Sequence, residues 1–288
     1  MSLPSEHYSR PDVQREIAEF CKNRWVGIHC IDQLGELRFR RYLRGRPLRV
    51  DGAGDVKKLQ SIHGCTLRSI YATANLYRRV DSREDVCTLQ NIVGCTPTWD
   101  IDSELDNWRE TVRVAGEIVS FLQGLGLERS LYLKWSGNGC HIHIHEKAIS
   151  EDLTRRYNPL DLAYAIVEYV NSKLYGRFIE LMHRGGNVRV ENKMDLTRVF
   201  TAPLSLHREL NVVCICMKPD QLGEFSPEWI TPGRFKHNPA WREFSVGEAD
   251  ELALRAYQSV GGYPLHFRRR RRRTKPLDEE IMRWLERD

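Results

Sequence analysis

Thr96-Pro97-Thr98-Trp99-Asp100-Ile101-Asp102 and Ser136-Gly137-Asn138-Gly139-Cys140-His141-Ile142-His143-Ile144-His145 are the two stretches on which the reading of this chain turns. The first is short, β-branched and aromatic, and it follows a proline, which predicts a strand over residues 98–102. Residues two apart in a strand point the same way, so Asp100 and Asp102 set two carboxylates on one side. Such a pair repels unless a cation lies between its members, and hard oxygen ligands select Mg2+ or Mn2+. The plainer alternative is a solvated strand end, with Asp106 capping the helix that follows. The second stretch is a small-residue turn feeding a strand with His141, His143 and His145 on one face. Its glycines let backbone N–H groups turn toward a phosphate, and the Ser136 hydroxyl and His141 ring add donors. A plain hairpin turn and a polar strand face are the alternatives. A third is zinc or iron shared by alternating histidines, but it leaves the acidic pair unexplained. Together the two stretches suggest a divalent-metal site facing a phosphate site.

Outward from these stretches the pattern alternates. Residues 11–22 (Pro11, Val13, Ile17, Phe20, Cys21) predict an amphipathic helix, 25–31 a strand, and Leu34-Gly35-Glu36 a hairpin turn into an arginine-rich strand or strands. Residues 65–77 are mixed and stay unassigned. Apolar residues at helical spacing predict helices over 107–125, with Gly124 as a stop, over 159–182 and over 248–260. Strands are expected at 131–135, 141–145, 187–191 and 211–217. This alternation indicates an α/β or α+β catalytic body over residues 1–265. A short amphipathic helix (Leu277, Ile281, Trp284, Leu285) follows an arginine run within 266–288. It reads equally as a helix packed on the body or as a tethered docking helix.

The chain of 288 residues, 41% hydrophobic, is long enough for one large core or two small ones. No apolar run approaches a membrane span, and residues 1–10 have no apolar signal region. Eight scattered cysteines, none in a Cys-x-x-Cys pair, are expected to be reduced thiols of a cytoplasmic, nucleoid-associated protein, and zinc is not expected. The net charge of +5 is uneven: the six arginines of residues 268–273, Arg268, Arg269 and Arg270 among them, exceed it alone. A second dense patch holds Arg38, Arg40, Arg41, Arg44, Arg46 and Arg49. Localised charge of this kind suits a nucleic-acid track, or else a solvated face with a basic tail.

Further candidates lie downstream. Glu191 ends a short strand and Asp195 precedes Leu196-Thr197-Arg198; either is a third carboxylate, or a surface acid or helix cap. Ser205 and His207, in Pro203-Leu204-Ser205-Leu206-His207, offer more donors, and Cys214 and Cys216 read as core.

The order of these motifs, Asp-Ile-Asp, then Ser-Gly-Asn-Gly-Cys-His, then an acid followed by Arg198 and Ser-Leu-His, resembles the archaeo-eukaryotic primase superfamily, most nearly the catalytic small subunit of primases. Ile70-Tyr71-Ala72-Thr73-Ala74-Asn75-Leu76-Tyr77 and the Trp99-Asp100 lead-in add to a likeness spanning residues 65–217. The resemblance implies a two-part α/β fold with an RRM-like half, a second smaller sheet and an active site in the cleft between them. It implies templated joining of NTP or dNTP to a 3′-hydroxyl with Mg2+ or Mn2+. By position, Asp100 and Asp102 would be metal ligands, with Glu191 favoured over Asp195 as the third acid. Ser136, Gly137, Asn138, His141, Arg198, Ser205 and His207 would hold the nucleotide. Asn138 stands where the family often has a basic residue, for which Lys134 is a candidate replacement, and Glu209 stands where it often has Lys, with Arg208 beside it. The family's usual zinc knuckle is absent between Asp102 and Ser136. A DNA template is the implied partner, with a primase large subunit or clamp on the C-terminal helix. The alternatives are an end-joining repair polymerase domain and a nucleic-acid-binding subunit that acts only through a partner.

Overall fold

A computed structural model of the protein describes residues 2–183 and 188–264. In chain order its elements are α1 (Leu3–Ser9), α2 (Pro11–Cys21), β1 (Arg24–Ile31), β2 (Leu37–Arg40), β3 (Tyr42–Leu43), β4 (Arg46–Pro47), α3 (Ala53–Gln60), β5 (Thr66–Tyr77), β6 (Ile92–Cys95), β7 (Thr98–Asp102) and α4 (Trp108–Gly124). They continue with β8 (Leu131–Trp135), β9 (Cys140–Ile144), α5 (Glu151–Arg156), α6 (Pro159–His183), β10 (Arg189–Glu191), β11 (Val199–Thr201), β12 (Ile215–Met217) and α7 (Asp250–Val260).

Two five-stranded antiparallel sheets organise the chain. The first runs β11-β5-β1-β2, with β6 also paired to β5; the second runs β10-β7-β9-β8-β12. Helix α2 starts with Pro11, whose missing N–H costs nothing there, and buries Val13, Ile17, Phe20 and Cys21 beside the first sheet. Helices α4 and α6 back the second sheet, covering the side that carries Trp99, Ile101, Leu133 and Ile142. The opposite side, with Asp100, His141 and Lys134, faces Phe200 of β11 and Phe20 of α2. The segment from Val199 onward leaves the first sheet as β11 and enters the second as β12, tying the two together. No helix among the described residues is long and apolar enough to cross a membrane.

Several expectations are corrected. The unassigned stretch is β5, the long central strand. It is buried on both sides, so the polar–apolar alternation of a half-exposed strand is missing from its sequence. The strand expected over 211–217 shrinks to three residues, because the chain before it forms only an isolated Leu206–Val213 bridge. Asp106 does not cap α4: it lies in a 3-10 turn, and the N-cap is Asn107, with no side-chain bond. Cys30 and Cys65 are joined as a disulfide with Cα atoms 5.3 Å apart, so the expectation of reduced thiols fails for this pair. Antiparallel pairing of β1 with β5 brings the two together, which sequence spacing does not report. Cys214 and Cys216 are buried free thiols. The C-terminal helix and Arg268, Arg269 and Arg270 lie outside the described residues.

Candidate active site

Strand register assembles the site. Within the second sheet Asp100 pairs with His141 of β9 on one side and with Glu191 of β10 on the other. Asp100 and Asp102 share a strand side, as their spacing predicts, though Asp100 is buried and Asp102 exposed. His141 Nε2 lies 3.1 Å from Asp100 Oδ1. The acids do not face open solvent alone. The Lys193 ammonium sits 2.8 Å from Asp100 Oδ2 and 3.1 Å from Glu191 Oε2, and also contacts Asp102 Oδ2. Arg198 Nη2 stands 4.0 Å from Asp100. Burial works to raise the Asp100 carboxyl, but His141 and Lys193 outweigh it and hold the group well below the usual carboxylate range. Asp100, Asp102 and Glu191 lift the Lys193 ammonium above its ordinary value against the effect of its own burial.

Lys193 was missed in the sequence. It lies two residues after Glu191, beyond the end of β10, and reaches the acids from the turn that Asn192 makes with Met194. Among the described residues no three His, Cys, Asp or Glu groups stand close enough to share a metal ion as they are. What three carboxylates share is the ammonium. The donor set, all carboxylate oxygen, nonetheless fits a hard divalent cation. Oxygens 2.8 and 3.1 Å from the nitrogen would need to close by about 0.7–1.1 Å to reach Mg2+ distances.

The second-motif turn is locked against the acids and against the Ser-Leu-His turn. The Ser136 N–H donates to the Gly139 carbonyl, the Trp135 indole N–H to the Gly137 carbonyl, and the Ser103 hydroxyl to the Asn138 carbonyl. Gly137 has φ +131°, a conformation side chains rarely adopt, and a Cβ there would lie 2.7 Å from the His207 ring. A Cβ on Gly139 would lie 2.3 Å from the Ile101 carbonyl oxygen, between the two aspartates. His207 Nδ1 accepts from the Glu209 and Leu210 N–H groups, which leaves Nε2 as the donor. Burial and Arg208 push His207 down to about 4, so at neutral pH it is an uncharged N–H donor beside the turn.

The other candidates divide. Buried polar atoms without a protein partner include Nδ1 of His141 and Nε of Arg198, two residues whose Nε2 and Nη2 approach Asp100. Ser205 is fully buried and holds the fold: its hydroxyl oxygen accepts from the Ile70 N–H and meets the Tyr8 hydroxyl. Lys134 is fully buried too. Its ammonium donates to the Thr201 carbonyl and lies over the Phe20 and Phe200 rings, and burial lowers it to about 8. Neither side chain opens toward a nucleotide. The Asp195 carboxylate accepts from the N–H and hydroxyl of Thr197, a local turn, and stands apart from the Lys193 cluster. His143 pairs with Thr98 and stacks on Tyr132, and His145 accepts from the Lys147 N–H, so the three histidines do not converge on a metal.

The basic stretch is not one track. Arg38 and Arg49 are in ion pairs with Asp32, Glu36, Asp51 and Asp81. Arg41 turns inward, its guanidinium 3.3 Å from the Trp25 ring centroid and bonded to the Thr197 carbonyl. Arg44 and Arg46 are exposed and Arg40 partly so. Arg44 and Gly45, both at positive φ, form the two-residue turn between β3 and β4.

Sequence comparison returns nothing: no protein-family model matches, and no curated protein matches. Comparison with solved structures does. The polymerase domain of Ligase D from Mycobacterium tuberculosis, solved in complex with DNA, aligns with a TM-score of 0.51 over 89% of this chain and 88% of that chain, at 12% identity. At that identity the likeness is one of fold. The paired-sheet α/β body of this chain therefore has the fold of a Ligase D polymerase domain.

Proposed function

We propose that the protein is a DNA-templated nucleotidyltransferase of primase–polymerase type, joining NTP or dNTP to a 3′-hydroxyl. The observation that carries this reading is the gathering of Asp100, Asp102 and Glu191 around one positive charge, with His141 and Arg198 alongside. Three carboxylates have no structural need to meet, since each repels the others. These residues would hold Mg2+ or Mn2+, which when bound supplies Lewis-acid charge to the attacking hydroxyl and the leaving pyrophosphate. The chain itself supplies orientation. Glu191 is the third acid of this reading, because β-pairing sets it beside Asp100 while Asp195 is spent on its own turn. The His207 Nε2–H and the Ser136–Gly139 turn offer neutral donors to a triphosphate. His141 and Arg198, which approach Asp100 through Nε2 and Nη2, keep Nδ1 and Nε without a protein partner and so offer further polar atoms to a ligand. The exposed Arg44 and Arg46, on the β3–β4 hairpin, would contact the template phosphates.

Within this class a repair-type polymerase is the second reading, favoured by the fold likeness to a ligase-associated polymerase domain. A partner, either a primase large subunit or a clamp, would engage the chain beyond residue 264. The test is extension of primed, unprimed and gapped DNA with labelled NTP or dNTP and Mg2+ or Mn2+, beside Asp100→Ala/Asp102→Ala. Metal-dependent product lost in the double variant supports the reading, and preference for gapped over single-stranded template selects the repair form. Product that survives the double variant refutes the assignment of the acids.

A further inference from the structure

Lys193 occupies the place where the three carboxylates would take a metal, and the chain around it is built to keep it there. Asn192 fastens the backbone: its amide donates to the Tyr164 carbonyl at 3.2 Å and to Glu168 Oε2 at 3.0 Å, both on α6. The Asn192 side-chain oxygen also accepts from the Met194 N–H, and Met194 is buried. The Lys193 Cα is thus pinned between two anchored residues, and only its side chain is free to move. That side chain is 19% exposed, so it has a way to solvent. The charges demand a counter-ion. Asp100 is buried; His141 at 3.1 Å and Arg198 at 4.0 Å face it alone, Arg189 lies 3.5 Å from Glu191 alone, and of these groups Lys193 is the one in contact with all three carboxylates. An unpaired buried carboxylate is costly, so without a cation the strand ends of β7 and β10 would be pushed apart.

We propose that Lys193 is a resident counter-ion of the acidic cluster, holding Asp100, Asp102 and Glu191 together in the metal-free protein and leaving when Mg2+ or Mn2+ binds. The proposal rests on the reading of these acids as metal ligands. Its consequence is a metal site that forms by exchange: the ammonium moves out to solvent as the divalent ion enters. The carboxylates stay assembled between catalytic cycles, and the apparent metal affinity is lowered by the fraction of time that Lys193 holds the site. Occupancy of nine-tenths weakens apparent affinity about tenfold.

The experiment measures Mn2+ binding by electron paramagnetic resonance on the full chain, with Asp100→Asn as control. Lys193→Met should bind Mn2+ about tenfold or more tightly than the wild type, melt lower without metal and gain more from added Mn2+. Lys193→Arg, which keeps the charge, should stay within a few-fold of the wild type. On the unaltered protein, Mn2+ should raise labelling of Lys193 by an amine-reactive reagent several-fold, read by mass spectrometry, and this arm holds even if the variants fail to fold. Equal Mn2+ affinity in wild type and Lys193→Met, or unchanged labelling while Mn2+ is bound and lost in Asp100→Asn, overturns the counter-ion and leaves the metal reading standing. No Mn2+ binding by any form overturns both.

Discussion

Gly139 offers a sharp test of how the two motifs are joined. A Cβ at this position would lie 2.3 Å from the Ile101 carbonyl oxygen and 3.3 Å from its carbonyl carbon. The obstacle is backbone, which cannot rotate away as a side-chain tip can. To restore ordinary contact, β7 and the second-motif turn must separate by roughly 1 Å. Overpacking of this kind costs about 1–3 kcal/mol. At around 2 °C per kcal/mol for a chain of this size, Gly139→Ala should lower the melting temperature by ~2–6 °C. The larger effect falls on chemistry. Ile101 stands between Asp100 and Asp102, so opening the turn shifts both carboxylates against His141, and displacement on this scale costs about 100-fold in rate. Gly116 is the internal control. It lies within α4 with nothing inside 4 Å of its Cβ position, so Gly116→Ala should stabilise by about 0.5–1 kcal/mol and leave activity alone. Thermal melts and primer extension on the two variants decide the matter. A Gly139→Ala protein as stable and as active as wild type would refute the close approach and, with it, the coupling of the two motifs.

Three other outcomes follow from the same geometry. Arg44→Ala/Arg46→Ala should weaken DNA binding and flatten its dependence on log salt by about 0.7–0.9 per lost phosphate contact. Arg41→Ala, stacked on Trp25, should instead lower the melting temperature and leave the slope unchanged. Lys134, held near 8 in the folded chain against an ordinary 10.5, binds fewer protons folded than unfolded between those values. Wild-type stability relative to Lys134→Met should therefore rise by about 3 kcal/mol from pH 8 to 10.5, with the variant's advantage greatest at neutral pH; parallel stability curves would contradict this. Glu146, beside Arg24 and Thr96, is lowered to about 2, since the Arg24 charge outweighs the burial that would raise it. The advantage of wild type over Glu146→Gln should be full above pH 4.5 and shrink by about 3 kcal/mol as pH falls toward 2, measured by urea unfolding across that range.

Much of this site was legible because strand periodicity is simple. Two residues apart means one side, so Asp100 and Asp102 could be paired on sight, and the small-residue turn before His141 announced itself by its glycines. Lys193 lies in the turn after β10, where no strand periodicity marks it, and a lysine after a third acid looks like an ordinary solvated charge. Burial is what the sequence hid. Ser205 and Lys134 carry the right chemistry for a phosphate site, yet both are enclosed where α1, α2 and β11 pack, and no local pattern marks that. The arginine stretch misled for a related reason: composition counts charges, whereas ion pairs with Asp32, Asp51 and Asp81, and the Trp25 ring, decide which of them remain free. β5 escaped because a strand covered on both sides has no alternation to read.

The segment that ties the two sheets together also sets when the site can exist. Asp100, Asp102 and His141 belong to β7 and β9, which pair across a short separation in the chain. Glu191, Lys193, Arg198 and His207 all arrive later, on the stretch that supplies β10 and β12 to the second sheet and β11 to the first. Pairing β11 with β5 closes a loop of more than a hundred residues, a non-local contact of the kind that slows folding. During synthesis the growing chain carries its first two acids long before it has a third acid or a lysine to balance them. A chain released short of Glu191 would retain the motif most easily recognised in sequence and lack the site.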